Sequence, residues 1–439
     1  MGSSADGSGR GDDAPGRDGA ATAWVRVAVF GLLSFLQGVI EPTEGLLSQP
    51  VRSRLLGWGR GAGEVAWFAA ILGLPWALKP LLGLLSDALP LGGSRRRNYV
   101  VASGAVAAAA FLALAFVPGL GGSPAGLLAG LTVASAAVAM SDVATDALVV
   151  DLGRADGRTG RYQAAQWFCL YASGIVTGAA GGALSAGGRT RGALLACALA
   201  AGLMLLAALG VREPPAAVAG GRRPTRPRPG NARAPARVAV AVAGFLALEN
   251  FNPFGSSALL QVHMTGSLGY GERSYGGTVS MLAAVSMTAA AVYGAFGPRV
   301  PLRALAYASV ALGVVSNLAY AGLNGGRSDL PVLVFVGFAS MTATLIQFEL
   351  AARACPAAAA GTVFATFMAV SNLSTALATW WGGVWYEAAG PSRGYAGAFL
   401  VLGLAGAASV ALGGLIVPFL PGDRFDPQGP GETPEAEDG

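Results

Sequence analysis

The chain has 439 residues, 53% of them hydrophobic and 12% charged, with a mean hydropathy of +0.54 and a net charge of +5. Charged residues stand at about half the ~25% usual in soluble proteins, and apolar windows of about 20 residues recur along the chain, which excludes a string of soluble domains and points to an all-α membrane protein. Barrel strands would be short and alternating, and the arginines are scattered over many short loops without aromatic interleaving, so no nucleic-acid partner is expected.

In chain order, residues 1–22 are polar and Gly-rich, lack the basic-then-apolar order of a signal peptide, and are expected to be a disordered tail. Twelve apolar segments follow, at 23–48, 63–89, 99–117, 125–151, 162–186, 192–211, 238–262, 276–297, 304–323, 330–352, 362–386 and 395–417. The longest polar interruption, 212–237, is rich in Pro and Arg and reads as an unstructured cytoplasmic linker. It divides the chain into six-helix halves, 23–211 and 238–417, and an acidic disordered tail is expected over 418–439. Cys169, Cys197 and Cys355 lie in or beside apolar segments without paired spacing, so no disulfide is expected. His263, the only histidine, is placed in an outer loop, and no metal-ligand spacing or cofactor motif is present, so an enzyme is not expected.

With both termini in the cytoplasm, that side holds 20 arginines and the other side eight. The positive-inside rule favours this orientation. The absence of a signal or transit peptide favours a plasma or inner membrane. Two sets of six helices joined by a basic linker suggest a transporter of two related halves. The first and seventh segments support this, since each places a glutamate shortly before a proline: Glu41-Pro42, and Glu249 ahead of Pro253. Proline breaks the helical ladder locally, and interrupted helices at matching positions point to a binding site.

The charges inside the apolar segments are few: Glu41, Glu44, Lys79, Asp87, Asp142, Asp146, Asp151, Glu249 and Glu349. Asp87, Asp151 and Glu349 lie near cytoplasmic helix ends, and Glu44 is within reach of the outer interface. The deep set is Glu41, Lys79, Asp142, Asp146 and Glu249. Each such charge costs about 2.5–3.5 kcal/mol at the bilayer centre, and five facing lipid would cost on the order of 10 kcal/mol. They must therefore face a cavity, pair with one another, or be neutral. Asp142 and Asp146, four residues apart, share a helix face and can share a proton. Titratable acids around a wet cavity are what proton coupling requires, so Asp142, Asp146 and Glu249 are the coupling candidates. Lys79 is the only lysine in the chain, on one helix face with Gly83 and Asp87. It can neutralise a carboxylate of the fourth helix, meet an anionic solute, or snorkel toward the cytoplasmic end.

GLLSD followed by GGSRRR (83–97) is similar to the cytoplasmic loop signature of the major facilitator superfamily. The run PWALKPLLGLLSDALPLGGSRRRNY (75–99) closely resembles the second-helix signature of the folate-biopterin transporter family within it. SDVATDALVVDLGR (141–154) and ACPAAAAGTVFATFMAVSN (354–372) resemble that family too, and LGYGERSYGG and VPLR do so more loosely. EPTEGLL in the first segment departs from the family pattern. The resemblance implies a major-facilitator-like fold and proton-coupled transport of pteridines or folates. By position it carries Lys79, Asp87, Arg95, Arg96, Arg97, Asp142, Asp146, Cys355 and Asn372 onto the family pattern. Other solutes, including S-adenosylmethionine, are carried by similar proteins.

The chemistry fits a pteridine. Its amino group and ring N–H form a two-donor edge for a carboxylate of Asp142, Asp146 or Glu249. Lys79 suits an anionic tail, Glu41 adds a further polar contact, and Trp76, Trp167 and Phe251 offer stacking faces. Asp87, Gly83, Arg95, Arg96 and Arg97 are the candidate cytoplasmic gate. The expected partners are a small-molecule solute, protons and the lipid bilayer, with the protein a monomer. The rivals are a facilitator for another solute, importing or exporting, and a non-transporting membrane protein on the same fold.

Overall fold

The computed structural model describes residues 17–213, 233–296, 299–355 and 360–420. Sixteen α-helices run in the order α1 (Arg17–Ile40), α2 (Ser48–Gly57), α3 (Ala62–Ala77), α4 (Lys79–Ala88), α5 (Arg97–Phe116), α6 (Pro118–Gly121), α7 (Pro124–Asp156), α8 (Thr159–Ala186) and α9 (Thr190–Leu209), then α10 (Arg233–Asn250), α11 (Ser257–Val262), α12 (Glu272–Phe296), α13 (Leu302–Ala319), α14 (Asp329–Ala354), α15 (Ala360–Arg393) and α16 (Tyr395–Gly414). Among the described residues ten helices are long and apolar enough to cross a membrane, α3 and α4 counting as one, and Trp24–Ile40 is a shorter helix of the same kind. The seventh expected position is taken by α10.

Several expected boundaries are corrected. The first segment does not run to 48: α1 stops at Ile40, and α2 is a separate short helix. The seventh likewise ends at Asn250 and resumes as α11 after Pro253. Helix α1 begins within the expected N-terminal tail, and α10 begins within the expected linker. Residues 1–16, 214–232 and 421–439 of those segments lie outside the described residues. The described start of the linker is tied down, for Glu213 accepts backbone N–H bonds from Arg95, Arg96 and Arg97 at 2.8–3.2 Å and the hydroxyl of Ser94 at 2.5 Å. A carboxylate there occupies the orphan donors at the start of α5 and complements its dipole.

The breaks in the first and seventh positions follow from backbone accounting. The last four carbonyls of a helix lack intrahelical partners. At the end of α10, Ser374 donates to the Ala247 carbonyl at 2.6 Å and Ser409 to that of Leu248 at 2.8 Å. After α1 the Glu41 carboxylate takes the N–H of Thr43 at 2.9 Å and of Glu44 at 2.6 Å. Both interruptions are therefore held by side chains, as lipid-buried irregular backbone must be.

The first group packs α5 on α7 and α9, and α1 on α8; the second packs α13 on α14 and α16, and α10 on α15. The groups meet through α3 with α15 and α8 with α12. These crossings are closest at the end opposite the linker. There a Cβ on Gly276 would lie 2.5 Å from the Gly178 carbonyl oxygen and 2.8 Å from the Gly182 Cα, and one on Gly383 would lie 2.1 Å from the Ala66 Cβ. The GAAGG run of α8 thus serves as a small-residue contact. Polar contacts reinforce the same end. Gly63 N–H donates to Glu387 at 2.7 Å, and Arg52, 4% exposed, donates to Ser257 at 2.5 Å while pairing with Glu44 at 3.2 Å. Arg52 is thus no outer-loop residue but a buried tie between the groups.

Gly276→Val is expected to destabilise the protein by about 1–3 kcal/mol through overpacking against backbone atoms that cannot retreat. Thermal unfolding in detergent measures the loss.

Candidate functional site

Lys79 owes its place to the proline after it. Pro80 has no N–H to offer the Trp76 carbonyl four residues back, and its ring crowds that carbonyl. The helix breaks at Leu78, and α4 restarts with Lys79 at its first position. The freed Trp76 carbonyl accepts a hydrogen bond from the Asn372 side-chain amide at 3.1 Å, a bond between the two helical groups. Lys79 Nζ lies 4.4 Å from the centre of the Trp76 ring and forms an ion pair with Asp142 on α7. A cation over an indole face is stabilised by the ring quadrupole. Of the three sequence-level readings of Lys79, neutralising a carboxylate of the fourth span is the one its position matches.

Asp142 also accepts from the Gln37 amide of α1 at 2.8 Å. Asp146, one turn further along α7, accepts from Gln166 of α8 at 3.2 Å. All of these line one internal space. A lobe of about 460 Å³ is bounded by Gln37, Glu41, Trp76, Lys79, Asp142, Trp167, Asn372 and neighbours. A second, of about 350 Å³, shares Trp76, Lys79, Asp142 and Asn372 with it and extends past Asp146 and Gln166 toward Phe348, Phe364 and Met368. A third, also about 350 Å³, shares Asn250 and Gln347 with the second and reaches Glu249. The deep charges thus line adjoining lobes of internal space between the helical groups. Dimensions of this order suit a small organic molecule.

The other expected residues fall as follows. Glu41 lines the chamber, but its carboxylate is engaged by Thr43 and the Glu44 N–H. The buried indole N–H of Trp76 has no partner among the described residues. Trp167 lines the chamber, and its ring centre lies 6.1 Å from that of Tyr171. Phe251 is not among the described lining residues and instead meets Trp381, ring centres 6.1 Å apart, so it is corrected from a stacking face to a packing residue. His263 is likewise corrected: it is 1% exposed, stacked on Phe399, and bonded to the Tyr386 hydroxyl at 2.8 Å. At the linker end Arg96 pairs with Asp87 and donates to Ser86 at 2.5 Å, all within the first group, while Gly83 faces Val143 on α7. Glu349 pairs with Arg353 and with the Tyr293 hydroxyl.

Gln37, Gln166 and Gln347, which the sequence did not single out, furnish much of the polar lining together with Asn250, one of two asparagines that make a polar patch beside Glu249 in the seventh segment. The three glutamines are uncharged amides inside apolar segments and carry no formal charge to mark them.

The D-xylose-proton symporter and the nucleoside transporter NupG superpose on this chain with TM-scores of 0.71 and 0.68, each at 12% identity, covering 91% and 90% of it and 98% of each of those chains. The chain is an integral, multi-pass membrane protein with a fold of the major facilitator type. Its sequence likeness is to the folate-biopterin transporters, as the motifs implied: the BT1 family model matches residues 61–252. A folate-biopterin transporter of Synechocystis sp. is 36% identical over 171 residues, 38% of this chain and 33% of that protein. Probable folate-biopterin transporter 4 of Arabidopsis thaliana is 31% identical over 144 residues, 32% of this chain and 29% of that one. The matches thus span about a third of those relatives' length.

Lys79→Met leaves Asp142 without its cation and is expected to cost about 3 kcal/mol, the low end for a buried pair, because about a fifth of each side chain is exposed. The double variant K79M/D142N is expected to recover most of that loss, and a double-mutant cycle on thermal unfolding measures the coupling. Asn372→Ala is expected to cost about 1 kcal/mol through the orphaned Trp76 carbonyl. In a Pro80→Ala background, which restores an N–H to that carbonyl, the same substitution should cost markedly less.

Proposed function

We propose that this chain is a secondary transporter that moves a pteridine-type organic solute through the chamber by alternating access, coupled to protons. The observation that carries the reading is the convergence of Lys79, Asp142, Asp146 and Glu249 on adjoining lobes of internal space between two helical groups. Relatives named as folate-biopterin transporters support the solute class. A pterin ring stacks between Trp76 and Trp167 and offers its two-donor edge to Asp142 or Asp146. The free Trp76 indole N–H and the lining amides supply the remaining polar contacts. The six-helix halves, 23–211 and 238–417, rock about the chamber, and the linker 212–237 tethers them. Close packing at the end opposite the linker, with the chamber extending toward the linker end, supports a state open to the linker side. Asp87, Gly83 and Arg95–Arg97 are the gate that engages when that side closes. Asp142, Asp146 and Glu249 form the titratable set. Both termini face the cytoplasm of a plasma or inner membrane, in keeping with the arginine distribution.

One observation favours a second reading. The chamber carries Glu41, Glu44, Asp142, Asp146 and Glu249 against one cation, Lys79, among the described lining residues. Such a balance favours a cationic or zwitterionic solute such as S-adenosylmethionine over a multiply anionic folate.

The test is uptake into proteoliposomes of labelled biopterin, folate and S-adenosylmethionine, with and without an inward proton gradient. Biopterin uptake stimulated by the gradient is expected, and Asp142→Asn is expected to abolish it. Transport of S-adenosylmethionine alone would select the second reading. Failure of all three solutes, or gradient-driven uptake that survives D142N unchanged, would sink the first.

A further inference from the structure

Glu249 stands apart from the other acids of the chamber. It is the penultimate residue of α10 and is 6% exposed, yet it borders the third lobe. Two donors converge on one carboxyl oxygen: Oε2 accepts from the Ser309 hydroxyl at 3.0 Å and from the Gln347 amide at 3.2 Å. Oε1 is buried and has no partner among the described residues. It lies where α16 presents Gly413, whose added Cβ would sit 3.4 Å from it, beside Leu248 and Phe245. Among the described residues the groups that face Glu249 from α13, α14 and α16 are Ser309, Gly313, Gln347 and Gly413, and α15 brings Ser374 and Thr375 to the carbonyls of Ala247 and Asn250 on either side of it; none of these is charged.

An ionised carboxylate in this setting has no cation, and half its charge sits on an oxygen that no donor reaches. Burying such a charge is costly. The neutral acid removes the uncompensated charge, and Oε2 keeps its two donors as a carbonyl oxygen does, with the proton on Oε1. Asp142 is in the opposite condition, with the Lys79 ammonium on one oxygen and the Gln37 amide on the other. Gln347 also joins Glu249 to the chamber. Its carbonyl accepts from the Asn250 amide at 2.9 Å, and both amides line the lobe that holds Lys79 and Asp142. A solute that bonds to either amide competes with the bond that Gln347 makes to Glu249.

We propose that Glu249 is the proton site of this chain, separate from the Lys79–Asp142 pair, and that Gln347 couples its protonation to occupancy of the chamber. Release breaks the Oε1–H bond and passes the proton to water of the third lobe; uptake reverses it, and no other bond changes. The proposal rests on the transport reading for its role, but not for its chemistry.

The test uses the full chain and Glu249→Gln, which mimics the neutral acid. Infrared difference spectra recorded without any solute, over about pH 5 to 9, are expected to show the C=O stretch of a protonated carboxyl lost on alkalinisation in the wild type and absent from E249Q. A wild type without such a band, or a band undiminished in E249Q, overturns the proposal. In proteoliposomes, gradient-driven accumulation by an E249Q protein that unfolds at the wild-type temperature is expected to fall to a ratio of about 1. Accumulation at the wild-type level overturns the proposal. Gln347→Leu is expected to leave the infrared band in place but to weaken its response to bound solute. An unchanged response overturns the coupling role. If no solute is carried by any form, the transport reading fails, and the infrared band alone decides the protonation of Glu249.

Discussion

The structure depends on one constraint: a few ionisable side chains must be kept wet or paired inside a lipid-embedded bundle. Lys79 illustrates how it is met. The ammonium is matched by Asp142, shielded on one side by the Trp76 ring, and placed against a chamber and not against acyl chains. Without a gap between the two helical groups, the same residues would add several kcal/mol each to the cost of insertion. The gap is therefore the condition for having such residues, and the close glycine contacts at one end let it exist without separating the groups.

Backbone irregularity and polar chemistry occur at the same places. Pro80 frees the Trp76 carbonyl, and Asn372 from the other group answers it. The end of α10 is held by Ser374 and Ser409, and the break after α1 by the Glu41 carboxylate. Each interruption turns a carbonyl or amide that a regular helix would consume into a contact between elements. Two of these contacts sit within a turn of a residue that lines the chamber, so a shift of one group relative to the other changes the site directly. That is a physical route by which solute binding and rocking can influence each other.

Charge is unevenly divided between the two groups. The first holds a neutralised pair, Lys79 and Asp142, with Asp146 beside it. Among the described residues that line the chamber, the second contributes one acid, Glu249, among amides and hydroxyls. At the closed end Arg52 and Glu44 place a further pair across to Ser257. An ion pair at a group boundary holds its two partners in one arrangement, whereas an acid without a cation is held only by neutral donors.

The sequence by itself determined the membrane class, the order of the apolar segments, and which charged residues lie within them. These follow from local hydropathy and from the cost of a charge in hydrocarbon, both of which are legible residue by residue. The Pro42 and Pro253 breaks were legible for the same reason, since proline acts on its own backbone. Only the tertiary structure decided which oxygen meets which donor. It paired Lys79 with Asp142, set Phe251 against Trp381, buried His263 and Arg52, and added Gln37, Gln166 and Gln347 to the lining. Those outcomes depend on the rotation and depth of helices far apart in the chain, and an uncharged amide carries no mark in sequence of whether it faces lipid, a neighbouring helix or water.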